Sequence, residues 1–391
     1  MIEFSPWLEH DTDLTAPAAP STVRAMIARH QQILTDMLTL PTAPFVERYV
    51  LDYLERFCAK RPALTTRSDR HGNLLVSLRR GRRTQSAPIT LAAHLDHPGF
   101  VAERMTGNGV LGAAWRGGVL ADYFPGGRVR FFVDGRWVRG RIKTVHKVKG
   151  EPSRVERVEV TVAEPIPRGT PGMWDLPDPR VRGRRIGARA CDDLAGAAGM
   201  LCALDALCRR RGAVAIDCLF TRAEEIGFIG AIAACRSGLL ARNARVIAVE
   251  CSSELPGAKM GQGPILRVGD SATVFSATLT ATCRNVADAL GRSNRSFRYQ
   301  RKLMDGGACE TTAYRAYGRE STGICLALGN YHNMNRRTGK IASEYIDLDD
   351  FDLLVRWFIA LATTGTPSRK DASTTLRQRI DANYRRLKRY L

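Results

Sequence analysis

Apolar residues follow two different spacings along the chain, and these spacings predict where helices and strands lie. Residues 21–40 and 44–60 carry apolar side chains at helical intervals and predict two amphipathic helices. The segments "NLLVSL" and "PITLAAHLD" are short, apolar and bounded by turn residues, which is typical of buried strands. The first part of the chain therefore predicts an α/β domain.

The spacing changes from about residue 106. The segments "RVRFFVDGRWVRGRIKTVHKV" and "RVERVEVTVAEPIP" are Val-rich, alternate apolar with polar positions, and are divided by Gly and Pro, which predicts a small all-β unit. Helix and strand patterns alternate again from about Gly187, so the β-rich unit is interpreted as an insertion. We predict a discontinuous catalytic domain of residues 1–104 and 186–391, an inserted all-β domain of residues 105–185, and a basic tail at 368–391.

Composition limits the class of protein. With 391 residues and 44% hydrophobic side chains, the chain can bury a large core and a second, smaller one. It has no uncharged apolar run of about 18 residues, and its first residues are acidic, so we expect neither a membrane span nor a signal peptide. The ten cysteines form no CxxC pair and lie mostly in apolar segments, which predicts reduced core thiols in a cytoplasmic protein.

The formal net charge of +20 comes almost wholly from arginine. Clusters such as "RRGRR" and "RRRG" can bind polyanions. They are scattered, however, and no helix-turn-helix, zinc-finger or base-stacking signature accompanies them. We interpret the charge as a solvated surface, with nucleic-acid binding as the disfavoured alternative.

Five segments place acidic or imidazole side chains at the carboxyl end of an apolar run: "AAHLDHPGF", "ACDDLAG", "LFTRAEEIGF", "VIAVECSSE" and "LALGNYHN". In an open α/β sheet, the carboxyl ends of the strands line one crevice. The segments supply His94, Asp192, Glu224, Glu225, Glu250 and His332. Two imidazoles and several carboxylates suit a pair of divalent ions with one bridging carboxylate.

Each segment alone has a structural interpretation. A His after a strand, an Asp-Asp pair before a helix and a Glu-Glu turn are all common without a metal. This interpretation does not explain "FTRAEEIGFIGA", in which two adjacent acids directly follow a buried strand, or the recurrence of acids after successive strands. We therefore predict a metal site.

The motif order His-x-Asp, Asp-Asp, Glu-Glu-x-Gly, acid after a strand and late His resembles the co-catalytic dizinc aminopeptidases. The β-rich segment between His94 and Asp192 makes the glutamyl aminopeptidase and tetrahedral aminopeptidase family the nearest match, over about residues 41–362. The resemblance implies a zinc-exopeptidase-like three-layer α/β fold with a mixed central sheet and an inserted small β-barrel-like domain. It also implies a homo-oligomer that acts on peptides.

The resemblance further implies five metal ligands and the residues that support them. The ligands are His94 and Glu250 on one ion, Glu225 and His332 on the other, and Asp192 between both. Asp96 would orient the His94 imidazole. Glu224 would be the general base toward a water shared by the ions. Asp193 would hold the backbone where the family has a cis peptide bond.

The chain departs from the family pattern near the expected substrate pocket. His97 stands where the family commonly has Glu, and "GGACETTAY" replaces a Gly-Gly-Thr-Asp type of segment. The substrate-pocket candidates are His97, Gly307, Cys309 and Glu310.

The sequence thus predicts a cytoplasmic, metal-dependent aminopeptidase that holds two divalent ions per chain, with zinc expected and cobalt or manganese as alternatives. One alternative function is a dimetal amidohydrolase or deacylase that acts on a non-peptide N-acyl metabolite. The other is a basic protein that binds nucleic acid or anions and has a vestigial metal site.

Overall fold

The computed structural model describes residues 20–81, 88–364 and 369–390. The strands are β1 (Leu64–Ser68), β2 (Leu74–Arg80), β3 (Ile89–His94), β4 (Gly99–Gly107), β5 (Val110–Arg116), β6 (Arg128–Val133), β7 (Arg136–Val148), β8 (Glu151–Val162), β9 (Pro171–Trp174), β10 (Arg180–Arg182), β11 (Arg185–Ala188), β12 (Val214–Thr221), β13 (Arg245–Ser253), β14 (Ile265–Asp270), β15 (Gln300–Met304), β16 (Glu320–Leu328), β17 (Met334–Asn335), β18 (Lys340–Ile341) and β19 (Glu344–Asp347). The helices are α1 (Pro20–Thr39), α2 (Arg48–Ala59), α3 (Leu194–Arg209), α4 (Ile229–Ser237), α5 (Ala277–Ser293), α6 (Glu310–Ala316), α7 (Leu348–Thr363) and α8 (Arg369–Leu387).

An eight-stranded mixed sheet lies at the centre, in the order β1-β2-β12-β3-β13-β16-β14-β15. Strands β12, β3, β13 and β16 are adjacent and parallel, so their carboxyl ends lie at one edge. All six residues of β3 are buried, as its continuous apolar run predicts for a strand covered on both faces. The predicted α/β fold with a mixed central sheet is confirmed.

Helices α3 and α7 pack together on this sheet. At Gly199 of α3, a side chain would point at α7. The ends of Leu354, Phe351 and Phe358 lie 3.4–3.6 Å from the position of a Cβ atom there, so a bulky side chain would not fit. The apolar positions of α7 are buried, and Asp347 caps its amino end by accepting hydrogen bonds from two backbone N–H groups. Helix α7 therefore packs into the core.

Strands β4-β5-β8-β7-β6-β9 form a closed barrel. Its core is aromatic: Phe100 lies with its ring centroid 4.7 Å from Trp115 and 5.1 Å from Trp174, and Trp115 lies 4.9 Å from Phe124. The barrel begins at Gly99, so the predicted boundary between residues 104 and 105 lies inside β4, and the boundary between 185 and 186 lies inside β11.

The barrel joins the central sheet at the edge where the strands end. Strand β3 finishes at His94, and the first barrel strand begins only five residues later, at Gly99. A three-stranded sheet, β10-β11-β19, then returns the chain to Asp192, four residues beyond the end of β11. Both connections therefore enter and leave the barrel beside the segments that carry the predicted metal ligands.

Three further expectations concern the rest of the chain. All ten cysteines are free and nine are buried, in line with core thiols. The predicted tail forms helix α8 from Arg369, and its described side chains from Arg377 onward are exposed, while residues 368 and 391 lie outside the described residues. No helix in the described ranges is both long and apolar enough to cross a membrane.

Candidate metal centre

Four of the predicted ligands lie in or shortly after the carboxyl-terminal part of a parallel strand of the central sheet, and the fifth, Asp192, lies just before a helix. His94 is the last residue of β3, Glu250 lies in the second half of β13, and Asp192 lies just before α3. Glu225 follows β12 by four residues, and His332 follows β16 by four. Because neighbouring parallel strands end together, residues distant in sequence become neighbours in space.

One group of possible ligand atoms consists of His94, Asp192 and Glu250. The Nε2 atom of His94 lies 3.5 Å from Oδ1 of Asp192 and 3.7 Å from Oε2 of Glu250. All three side chains are buried. The atoms therefore face a common point that a cation can occupy.

A second group consists of Asp192, Glu225 and His332. The Nε2 atom of His332 lies 3.1 Å from Oε2 of Glu225 and 3.8 Å from Oδ2 of Asp192. Asp192 thus directs one carboxylate oxygen toward each imidazole. This is the arrangement that a carboxylate needs to bridge two ions.

Several atoms of these groups are buried without a hydrogen-bond partner: Asp192 Oδ1, Glu225 Oε1, Glu250 Oε1 and His332 Nε2. Buried polar atoms are normally paired, and buried carboxylates that face one another repel. Burial alone would lower the pKa of His332, but the Glu225 and Asp192 carboxylates and the Gly118 carbonyl group together outweigh it and raise the pKa to about 9. The field at this point therefore attracts positive charge, and the donor set fits divalent cations.

Both imidazoles are oriented by backbone carbonyl groups. The Nδ1 atom of His94 lies 3.0 Å from the carbonyl oxygen of Asp96, and Nδ1 of His332 lies 2.9 Å from the carbonyl oxygen of Gly118, in the barrel segment after β5. A proton on each Nδ1 leaves each Nε2 free to bind a cation. The barrel therefore contributes directly to the orientation of one imidazole.

Asp96 differs in detail from the expected role. Its carboxylate lies 3.7 Å from Nδ1 of His94, and the shorter contact to the imidazole comes from its own backbone carbonyl. The two carboxylate oxygens instead accept hydrogen bonds from the backbone N–H groups of Glu224, at 2.9 Å, and Glu225, at 3.1 Å. Asp96 therefore holds the Glu-Glu segment in place.

Glu224 lies beside the cluster, in a group of possible ligand atoms with His94 and Glu225. Burial raises the pKa of Glu224 well above its usual range, and the Glu250 and Glu225 carboxylates act in the same direction, while His94 opposes them. A carboxylate with a raised pKa can accept a proton and return it.

The peptide bond between Asp192 and Asp193 is cis. The Asp193 side chain accepts a hydrogen bond from the backbone N–H of Gly196, so it caps helix α3. Asp193 therefore holds the segment from which the Asp192 carboxylate projects.

A cavity of about 220 Å³ opens beside the cluster and is lined by His94, Asp192, Glu224 and Glu250, among others. Two of the predicted pocket residues, Gly307 and Cys309, line it. A larger groove of about 1380 Å³ is lined in part by Arg222, Ala223 and Ile229 after β12, but none of the predicted ligands lines it.

The other two predicted pocket residues are absent from the lining of this cavity. His97 is 1% exposed, and its ring nitrogens lie 2.8 Å from the carbonyl oxygen of Asp192 and 3.1 Å from Oδ1 of Asn333. Glu310 is also 1% exposed and accepts a hydrogen bond from the hydroxyl of Tyr314. Both side chains are buried and form hydrogen bonds with other protein groups. The local sequence does not reveal this burial.

Two arginines that were not predicted as site residues, Arg267 and Arg336, line the cavity. Arg267 is 3% exposed and donates a hydrogen bond to Ser252, yet its Nε atom has no partner. No ion pair joins Arg267 to a carboxylate in the described ranges, which is unusual for a buried charge. Burial would lower the pKa of its guanidinium, but nearby groups that include the Glu250 and Asp270 carboxylates outweigh burial and raise it. The signal was a lone Arg inside the apolar strand "PILRVGD".

Comparisons with known proteins agree with this geometry. The sequence model of the family described as M42 glutamyl aminopeptidase matches residues 72–340. Among solved structures, an aminopeptidase from the archaeon Desulfurococcus kamchatkensis is 20% identical with a TM-score of 0.72, and the match covers 88% of this chain and 97% of that one.

Two other structures have the same fold. The TET1 peptidase of Pyrococcus horikoshii, described as assembling into a tetrahedron or a large octahedral shell, is 18% identical with a TM-score of 0.68, covering 85% of this chain and 99% of that one. An M18-family aminopeptidase from Thermotoga maritima is 15% identical with a TM-score of 0.61, covering 88% and 97%. A search of curated proteins by sequence gave no match.

Proposed function

This chain belongs to the M42 glutamyl aminopeptidase family and is a metal-dependent aminopeptidase. We propose that it holds two divalent ions at the cluster around Asp192. One ion would be bound by His94, Asp192 and Glu250, and the other by Asp192, Glu225 and His332. The observation that carries this proposal is the position of Asp192, whose two oxygens face two different imidazoles.

Zinc is the proposed metal. Two imidazole nitrogens with three carboxylates form a donor set that zinc binds in hydrolytic enzymes. Cobalt and manganese accept similar ligands, so their relative occupancy depends on supply as well as on the site. Ions bound here would polarise the scissile carbonyl and lower the pKa of a water that contacts them.

The chain's own groups then have distinct tasks. Glu224 would act as the general base, taking a proton from the attacking water and passing it to the departing amine. Asp96 would keep Glu224 in reach of this water, since it holds the backbone N–H of that residue. His94 and His332 would stay neutral and present Nε2 to the ions.

The charge of the cavity supports a preference for acidic amino-terminal residues. Arg267 has no ion-pair partner in the described part of the chain, and Arg336 lies at the exposed rim of the same cavity. A substrate carboxylate would supply the partner that the buried guanidinium lacks. The preferred substrates would then be peptides that begin with Glu or Asp.

We further propose that the chain works as a cytoplasmic homo-oligomer. One similar TET1 structure is described as a dodecamer in the asymmetric unit, and the TET1 peptidase of Pyrococcus horikoshii is described as able to assemble into a tetrahedron or a large octahedral shell. The barrel of strands β4 to β9 is inserted between β3 and α3 of the catalytic domain, and it would contribute both to assembly and, through Gly118, to the metal centre.

One experiment tests the activity and its metal requirement. The purified chain is analysed for metal content and assayed on aminoacyl chromogenic substrates with free and with acetylated amino groups. We expect about two ions per chain and cleavage of free-amine substrates only. Cleavage of the acetylated substrates alone would favour the deacylase, and absence of bound metal after loading with zinc, cobalt or manganese would overturn the proposed centre.

A further inference from the structure

One buried carboxylate, that of Glu344, contacts both segments that meet at the second group of ligand atoms. Its Oε2 atom accepts hydrogen bonds from the backbone N–H groups of Cys191, at 2.7 Å, and Asp192, at 3.1 Å. Its Oε1 atom accepts a hydrogen bond of 2.7 Å from the backbone N–H of His332. Glu344 is 0% exposed, so water does not compete for these bonds.

The segment that carries His332 needs such a contact. Asn330, His332 and Asn333 all have a positive φ, of 55°, 55° and 62°. Residues other than glycine adopt this region at a cost, and they keep it only where surrounding structure holds them. The bond from the His332 N–H to Glu344 is one of the contacts that hold this turn.

The position of Glu344 follows from strand pairing. It is the first residue of β19, which pairs antiparallel with β11 so that Glu344 lies opposite Ala188. Strand β11 ends three residues before Cys191, so the Glu344 carboxylate lies within hydrogen-bond distance of the backbone of Cys191 and Asp192. The hairpin of β17 and β18 separates His332 from Glu344 in the sequence, and Met334 at its start packs into the barrel core.

We infer that Glu344 is a positioning residue of the metal centre, which sets the His332 imidazole against the Asp192 carboxylate; this rests on the proposed function. His332 lies in a turn and belongs only to the group with Asp192 and Glu225. In the other group, His94 and Glu250 lie on strands β3 and β13 of the central sheet and do not depend on this turn. Loss of the Glu344 contacts should therefore weaken the ion between Asp192, Glu225 and His332 more than the other ion.

The test is Glu344→Gln in the full chain. Gln keeps the size of the side chain but has one acceptor oxygen, so at least one backbone N–H faces an amide NH₂ group. Zinc affinities are measured by competition with a chelating dye, and the cobalt-loaded protein is followed by visible absorption. We expect one of the two zinc constants to weaken about 10–100-fold, the other to weaken clearly less, and the cobalt spectrum to change.

Asp350→Asn is the matched control. Asp350 is 2% exposed, and its carboxylate accepts hydrogen bonds from the backbone N–H groups of Gly261, at 2.6 Å, and Gly263, at 2.7 Å. The change removes a similar buried charge that contacts no predicted ligand. Both zinc constants should match those of the parent.

The outcomes separate this inference from the proposed function. The inference alone is overturned if Glu344→Gln folds and both zinc constants are unchanged. It is also overturned if Asp350→Asn weakens zinc binding in the same way. A parent that binds no metal overturns the proposed centre and the inference with it. If Glu344→Gln does not fold, Glu344→Asp keeps the charge but is too short to reach both segments, and the same selective weakening is expected.

Discussion

The carboxylate of Asp96 accepts a hydrogen bond of 2.9 Å from the backbone N–H of Glu224. The side chain of Asp96 is 0% exposed, and its second oxygen accepts the backbone N–H of Glu225. A single carboxylate at the end of β3 therefore holds both the proposed base and a proposed metal ligand, which lie beyond the end of the neighbouring strand β12.

Replacing Asp96 by Asn should impair both functions of this segment. The amide has one acceptor oxygen for two backbone donors, so one N–H loses its partner in a buried position. We expect kcat to fall about 10–100-fold, with weaker metal binding. Steady-state kinetics and metal competition measure these effects. Asp217→Asn on β12 is the control, and an Asp96→Asn enzyme as active as this control would contradict the expected role.

Adjacent Glu224 and Glu225 should respond differently to the same substitution. Glu224→Gln should retain its metal and lose about 10²–10⁴-fold in kcat, because only proton transfer is removed. Glu225→Gln should lose one ion, because a ligand oxygen becomes an amide nitrogen. Metal analysis beside single-turnover hydrolysis distinguishes the two. Equal metal loss in both variants would show that Glu224 is a ligand and not the base.

Arg267 should determine the preference for acidic substrates. A charged hydrogen bond contributes about 1.5–3 kcal/mol, so Arg267→Met should lower kcat/KM for glutamyl substrates roughly 10–150-fold. Leucyl substrates should change far less. Arg336→Met, at the exposed rim, should have a smaller effect, since exposed charges are screened. An equal loss on glutamyl and leucyl substrates would count against recognition of a carboxylate.

Removal of metal should destabilise the protein. Without cations, the Asp192, Glu224, Glu225 and Glu250 carboxylates lie close together in a buried site, where they repel one another. Ligand binding at 1,000 times Kd adds about 4 kcal/mol to stability. Thermal unfolding after treatment with a chelator should therefore show a lower Tm, which zinc restores. A Tm that does not depend on metal would contradict a cation site at this cluster.

Asp205 provides a pH prediction away from the metal centre. Burial would raise the pKa of this carboxyl, but ion pairs with Arg29, Arg61 and Arg209 outweigh burial and lower the pKa to about 2. Because the folded pKa lies below the unfolded value, its contribution of about 2 kcal/mol is complete above about pH 4 and is lost as pH falls through about 2.

Asp205→Asn should therefore destabilise the chain more at pH 7 than at pH 3. Urea unfolding at both values measures the difference. Asp217→Asn is the control, because the Asp217 carboxylate pairs with Arg79 and is more exposed, at 15%, than that of Asp205, at 2%. A loss of stability that is the same at both pH values would mean that the ion pairs do not hold the pKa of Asp205 down.

Local pattern was enough to predict most of the regular elements. The apolar run ending at His94 is strand β3, and the helices predicted at residues 21–40 and 44–60 correspond to α1 and α2. The β-rich segment forms the closed barrel. These predictions succeed because the side-chain periods of helices and strands, and the residues that end them, are properties of consecutive positions.

The supporting residues required the fold. His97 and Glu310 have the chemistry of pocket residues but face the interior. Arg267 lines the cavity, although its only local signal was its place in an apolar strand, and Glu344, which had no local signal, bonds the backbone of His332. In each case the deciding feature is a contact with a residue far away in the sequence, such as Glu344 with Asp192.

The sequence by itself determined which chemical groups are available and after which strands they come, because both follow from residue type and local order. Only the tertiary structure decided that the oxygens of Asp192 face His94 and His332, and that backbone carbonyls orient both imidazoles. The order of strands in the sheet and the return of the chain from the barrel bring these groups together, and they depend on packing across the whole chain.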